Sequence, residues 1–151
     1  MGSYLKINNR ETNSKTFSKI LIDAIVNIDY QIMNNKNSTN KERKYFVPEY
    51  YKKIKDKEVG CGNWVINKKG MALLVQHLKN MYEDDEIIRL WCIEEHKYFL
   101  EHLVKEDEKE ERIAKFTENA KEEIQWCFNY ATDILTEMLL YGIKRVDAHW
   151  V

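Results

Sequence analysis

The chain has 151 residues, 44% of them hydrophobic and 32% charged, and a formal net charge of −1. This length suits one domain, and a single proline with only five glycines leaves few turns for a sandwich or barrel, which favours an all-α fold. No apolar run reaches the roughly 18 residues of a membrane helix, and three widely spaced cysteines indicate a reducing, cytoplasmic location rather than a disulfide framework.

The N-terminal region is predicted to be a polar arm followed by a helix. Residues 1–13 show no periodicity and are interpreted as a flexible arm, or at their start as a remnant of an expression vector. Apolar residues then recur every three or four positions, which predicts a helix over 14–34 capped by Asn13 or Ser14.

The middle of the chain is predicted to hold a short helix and a longer one. Pro48 suits the first turn of a helix over 48–57, because its missing N–H would have had no partner there. The two glycines around Cys61 indicate a tight turn. Asn67 is then placed to cap a helix over 68–82.

The C-terminal half is predicted to be two long helices. The acidic run 83–86 favours the start of a helix that reaches about Lys105. A stripe of apolar positions predicts a final helix over 108–141, ended by Gly142, unless it bends or breaks near 117–122. We therefore predict one domain over 14–151, a helical bundle of about four main helices plus one short helix.

The charge is unevenly distributed along the chain. Residues 36–58 contain eight Lys or Arg against four Asp or Glu, whereas residues 83–111 contain twelve acidic against four basic residues. Aromatic side chains alternate with the cations of the first segment, a pattern typical of partner-binding or nucleic-acid-binding surfaces. The side chains of this candidate surface are Arg43, Lys44, Tyr45, Phe46, Tyr50, Tyr51, Lys52, Lys53, Lys55 and Lys57.

A second candidate site lies in the predicted helix before Lys105. Steps of seven and four residues place Glu95, His102 and Glu106 on one helix face. This stretch resembles the ferritin-like and hemerythrin-like bundle proteins, and the resemblance implies a carboxylate and imidazole site for iron or manganese. It lacks the Glu-x-x-His and His-x-x-x-His spacings of those families, so metal binding is the alternative interpretation.

A third candidate is the pair Arg145 and His149. It resembles the arginine and histidine that helical ribonucleases of the HEPN class carry on a late helix, where both meet the RNA phosphate. Only three residues separate the two here, fewer than in that class.

The sequence shows no Gly-rich phosphate loop and no Ser-His-Asp order, so a non-enzymatic module without a cofactor is predicted. We expect a regulatory protein-interaction module that binds a protein partner and has no membrane contact. A homodimer is one assembly that the chain could form. A metal-dependent bundle protein and a nucleic-acid binder are the two alternatives.

Overall fold

The computed structural model describes residues 4–12 and 14–151 and shows an α/β fold, with one five-stranded antiparallel sheet beside the helices. The all-α helical bundle expected from the sequence is therefore wrong. In chain order the elements are β1 (Leu5–Ile7), β2 (Arg10–Glu11), α1 (Lys15–Met33), a 3₁₀ turn (Glu42–Lys44), β3 (Phe46–Ile54), β4 (Lys57–Asn67), α2 (Lys68–Tyr82), α3 (Asp85–Glu95), α4 (Lys97–His102), a 3₁₀ turn (Glu106–Glu108), α5 (Lys109–Tyr141) and β5 (Arg145–Trp150).

The sheet has the strand order β2-β1-β5-β4-β3 and lies against the helices on one face. That face is apolar, because alternate residues of each strand point to the same side. Helices α1 and α2 both contact β4, and α5 packs against α1, α2 and α3. The strand residues buried in this common core are Leu5, Ile7, Phe46, Trp64, Ile66, Val146 and Ala148.

The predictions for α1 and α2 are confirmed to within a residue at each end. The Ser14 side chain accepts a hydrogen bond from the N–H of Phe17, 3.0 Å away, and so caps α1. Asn67 caps α2 in the same way through the N–H of Gly70, at 2.8 Å.

The long final helix is also confirmed, and it neither bends into two helices nor breaks near 117–122. Gly142 ends it with a φ of 65°, and the N–H of Ile143 donates to the carbonyl of Met138. The preceding helix differs from the prediction, since it ends at Glu95 and resumes as α4 only at Lys97. Among the described residues, none of the helices has the length and apolar character needed to cross a bilayer.

The short helix expected over 48–57 is wrong, because these residues belong to a β-hairpin. Lys55 and Asp56 form its turn with φ values of 49° and 65°, a left-handed conformation that usually calls for Asn or Gly. The glycines expected to make a turn instead lie inside β4. A Cβ atom on Gly60 would collide with the ring of Trp64, and Gly62 adopts a φ of 85° at the register shift opposite β3.

The expected polar arm also contributes strands. Asn8 and Asn9 turn β1 back into β2 with positive φ values, and β1 pairs with β5. The hydroxyl of Tyr130 on α5 accepts from the N–H of Ile7 and donates to the carbonyl of Arg10, so the hairpin is attached to the core. Met1–Ser3 and Asn13, which include the expected vector remnant and one proposed cap, lie outside the described residues.

The distal half of the β3–β4 hairpin, residues 50–61, extends beyond the part of β4 that pairs with β5, and we call it the basic arm. Asn34, which follows α1, attaches it to the body. Its amide donates to the carbonyl of Glu58 and accepts from the N–H of Glu58, both at 2.9 Å. A single side chain thus replaces the pair of bonds that a neighbouring strand would make.

Removing this side chain should loosen the basic arm. We expect Asn34→Ala to lower the free energy of unfolding by about 1–2 kcal/mol, because two half-buried backbone groups of Glu58 lose their partners. Urea unfolding gives the stability, and amide hydrogen exchange at Glu58 should accelerate. The control is Asn37→Ala, at an exposed position in the same loop; equal losses in both variants would contradict the anchoring role.

Candidate functional site

The basic arm presents its cations to solvent. Lys52, Lys53, Lys55 and Lys57 are all exposed, and so are the apolar side chains of Tyr50 and Ile54, at 49% and 52%. The antiparallel register places Lys52 opposite Val59 and Ile54 opposite Lys57. The arm is therefore a two-stranded ribbon whose charge and exposed apolar side chains are concentrated around one turn.

These cations have no acidic partners among the described residues. The ion pairs there are made by Arg10, Lys19, Arg89, Lys109 and Lys121, all outside residues 36–69 and 144–145. Even Lys53, which lies directly opposite Glu58 in the ladder, makes no ion pair with it. The positive charge of the arm is thus available to an anionic partner.

The start of α5 is acidic and lies far from Arg145. Helix α5 begins beside α3, where Arg89 bridges Glu86 and Glu110, and it leads at its other end into β5. Thirty-three residues of helix span about 50 Å. The helix therefore separates Glu110 from Arg145, whereas Glu95 of the same acidic segment lines a pocket with Trp150 of β5.

A cavity of about 580 Å³ lies at the base of the basic arm. Its volume is within the range typical of small-molecule sites. Three of its lining residues are cations, namely Arg43, Lys44 and Arg145. The remaining lining residues are Met33, Val47, Tyr51, Val65 and Asn67.

Two polar side chains of the cavity wall retain hydrogen-bonding capacity. The Nε of Arg43 is buried and has no partner among the described residues. The Oδ1 of Asn67 is occupied by the N–H of Gly70, so its Nδ2 remains a donor. Both groups can donate to an anion or a carbonyl, and buried donors without partners are uncommon in folded proteins.

Behind the cavity wall, Tyr51 contacts a buried carboxyl group. Its hydroxyl donates to the Oδ1 of Asp29 at 3.3 Å, while the Oδ2 of Asp29 has no partner among the described residues. Burial raises the pKa of Asp29 to about 7, and the hydrogen bond from Tyr51 only partly opposes this. Burial and the Asp29 charge also raise the pKa of Tyr51, so its hydroxyl stays protonated.

The structure brings most of the predicted surface residues together on one hairpin. The lysines and Tyr50 lie on the exposed arm, and Arg43, Lys44 and Tyr51 line the cavity. Phe46 differs, since it is fully buried in the core, and Tyr45 packs against that core. The hairpin therefore brings the four lysines and Tyr50 together, whereas Phe46 belongs to the core.

The residues of the proposed metal site are not on one helix face. Glu95 ends α3, His102 ends α4 beside the ring of Tyr98, and Glu106 pairs with Lys109 at 2.7 Å. Within residues 4–12 and 14–151 there is no group of three His, Cys, Asp or Glu side chains arranged to hold an ion.

Five residues that line the cavity were not predicted from the sequence as residues of this surface: Met33, Val47, Val65, Asn67 and Arg145. The sequence indicated Arg145 only as a pair with His149, after the end of the last predicted helix. Both residues lie on strand β5, and only Arg145 lines this cavity. Adjacent strands brought Arg145 opposite Asn67, a pairing that no local sequence signal reveals.

The buried carboxyl group makes stability depend on pH. A folded-state pKa of about 7 for Asp29 lies above the unfolded value near 4, so the folded state binds the proton more tightly. The contribution of protonated Asp29 to the free energy of unfolding is therefore present at low pH and is lost as the pH rises from about 4 through 7. We expect Asp29→Asn, which stays neutral, to gain up to about 4 kcal/mol at pH 8 relative to the parent chain and little at pH 4.

Urea unfolding between pH 4 and pH 8 measures this difference. Asp56→Asn, in the exposed turn of the arm, removes the same charge and should leave the pH dependence of the parent chain intact. A pH profile of Asp29→Asn that parallels the parent chain would show that Asp29 is already ionised in the folded state at low pH.

No protein-family model, curated protein or solved structure matches this chain. The basic arm and the cavity at its base are therefore the features from which a function can be inferred.

Proposed function

We propose that this chain is a nucleic-acid-binding regulatory module whose binding element is the basic arm. The observation that carries the proposal is that Lys52, Lys53, Lys55 and Lys57 lie together around one turn, all exposed and without acidic partners in the part of the chain that the structure describes. Lysines that neutralise phosphates release condensed counterions, and this release provides most of the affinity of non-specific binding.

The shape of the arm supports this partner. A two-stranded ribbon can enter the major groove of a duplex. The exposed side chains of Tyr50 and Ile54 would contact bases or sugars beside the phosphates that the lysines bind. The acidic residues at the far end of α5 would be repelled by the same polyanion, so the arm approaches it first.

The free edge of β3 favours a nucleic acid over a protein strand. An added strand needs a regular row of free N–H and C=O groups. Pro48 lacks an N–H, and the register between β3 and β4 shifts between Pro48 and Tyr50. Proline, irregular register and lysines are the features by which edge strands avoid pairing with other chains.

A protein contact is the second candidate, and a different surface favours it. Ile87 and Leu90 lie three residues apart on α3, and 46% and 55% of their surface is exposed. Apolar residues on one helix face are typical of protein–protein contacts. We propose that this face binds a protein partner, of which a second copy of the chain is the simplest case.

We also keep the prediction of a cytoplasmic location. Cys92 and Cys127 are buried free thiols, and burial raises the pKa of Cys92 to about 11. Thiols of this kind are unreactive packing residues, which suits a reducing compartment.

Neutralising the arm should remove binding. We expect the variant with glutamine at Lys52, Lys53, Lys55 and Lys57 to bind a labelled duplex much more weakly, because each lost phosphate contact removes about 0.9 from the slope of log K against log salt. Fluorescence anisotropy over a salt series measures both the affinity and the slope.

The matched control replaces four exposed lysines outside the basic region, Lys79, Lys97, Lys105 and Lys115, and should bind like the parent chain. Circular dichroism establishes that both variants fold. Unchanged binding and slope in the arm variant would contradict the proposal. The proposal would also be contradicted if poly-glutamate competed for binding as well as unlabelled nucleic acid does, because the partner would then be an acidic polypeptide.

The second candidate makes a separate prediction. If two copies of the chain contact each other through α3, the parent chain should form a dimer, and the average mass in solution should rise with concentration. Leu90→Glu should make the chain monomeric, because the contact would bury a charge that has no partner. Light scattering after size exclusion measures the mass. Leu139→Glu, at another exposed apolar position, is the control; a parent chain that stays monomeric at all concentrations would rule out the homodimer.

A further inference from the structure

We infer that the cavity at the base of the basic arm binds one nucleotide unit, with its phosphate among the cations and its base on the apolar wall. This inference rests on the proposed function and makes it more specific, since a base can enter the cavity only when it is unpaired. The module would then prefer single strands, or duplex sites with an unpaired base.

The cations of the cavity lining suit a phosphate. Arg43, Lys44 and Arg145 all line the cavity, and none of them forms an ion pair with a described acidic residue. A guanidinium group donates to phosphate oxygens in a fixed planar geometry. The Nε of Arg43 is enclosed, so a bound phosphate would accept from the terminal N–H groups of this side chain.

The apolar and aromatic lining residues suit a flat ring. Met33, Val47 and Val65 provide apolar surface, and Tyr51 provides an aromatic ring that its hydrogen bond to Asp29 holds in place. Bases stack on aromatic side chains without regard to sequence, because every base has a π face. The free Nδ2 of Asn67 adds a donor that can reach a carbonyl or ring nitrogen of a base.

The position of the cavity connects it to the arm. Val47 and Tyr51 belong to β3, the same strand that carries Lys52 and Lys53 into the arm. A nucleic-acid strand whose phosphates contact these lysines would therefore pass the mouth of the cavity. An unstacked base of that strand could there contact the apolar lining residues. Paired bases keep their stacking and hydrogen bonds inside the duplex and gain nothing there.

The test compares a labelled single strand with a duplex of the same sequence, by fluorescence anisotropy. We expect the parent chain to prefer the single strand by about tenfold, an amount typical of one stacked base. Val47→Trp fills the cavity from an exposed position on the edge strand, and Arg43→Gln removes its guanidinium group. Both variants should lose the preference and retain the duplex affinity, whereas Leu103→Trp, at an exposed site outside the cavity lining, should keep both.

The result separates the two proposals. If the arm variant loses all binding while Val47→Trp and Arg43→Gln keep the single-strand preference, the cavity inference fails and the proposed function stands. If the parent chain binds neither probe, both fail. Calorimetry with adenosine monophosphate then shows whether the ligand of the cavity is a free nucleotide or a nucleotide within a strand. If adenosine monophosphate binds to the parent chain and Val47→Trp abolishes this binding, the cavity binds free nucleotides. If only strands bind, the cavity binds a nucleotide unit within them. Inorganic phosphate that binds as tightly as the nucleotide would overturn the assignment, because the apolar wall would then contribute nothing.

Discussion

The burial of one side of α5 is the contact on which the rest of the structure depends. Its buried residues continue from Ile113 to Met138, and α1, α2 and α3 all pack against this helix. The same helix leads into β5, which lies between β1 and β4. A single hydrophobic stripe therefore fixes both the helical layer and the position of the sheet, and the length of the helix separates Glu110 at its start from Arg145 beyond its end.

The basic arm combines an exposed turn with a fixed base. Residues 52–57 around the turn are exposed, whereas Asn34 and Tyr51 attach the arm to α1 near the cavity. Charge that is free of acidic partners attracts a polyanion over distances comparable with the Debye length, and the cavity acts only at contact. Under the two proposals, neighbouring parts of one hairpin would attract the polyanion and discriminate between single and double strands.

The sequence predicts the helices well because their signals are local. Ser14, Asn67 and Gly142 act at helix ends as expected, and the stripe of α5 identifies its face. The sheet was missed because its turns use Asn8–Asn9 and Lys55–Asp56 in place of glycine. The glycines that suggested a turn are instead required by the ring of Trp64 and by an irregular register, which are tertiary features.

The sequence likewise predicts only part of the candidate site. The basic and aromatic composition of residues 43–57 identifies a surface, but only the hairpin shows that its lysines surround one turn. Arg145 reaches the cavity through the pairing of β5 with β4, about eighty residues apart in the chain, and no period or motif encodes such a pairing. The metal candidate depended on one continuous helix, and the break at His96 removes that continuity.

The position of β5 also has a consequence for synthesis of the chain. Arg145–Trp150 is the last strand in the sequence, yet it pairs with β1 on one side and β4 on the other. Until it leaves the ribosome, β1 and the body end of β4 each lack one of their two neighbouring strands, and both expose backbone groups that could pair with other chains. The helices can form early, but closure of the sheet must wait for a contact between residues near both limits of the sequence, which slows folding.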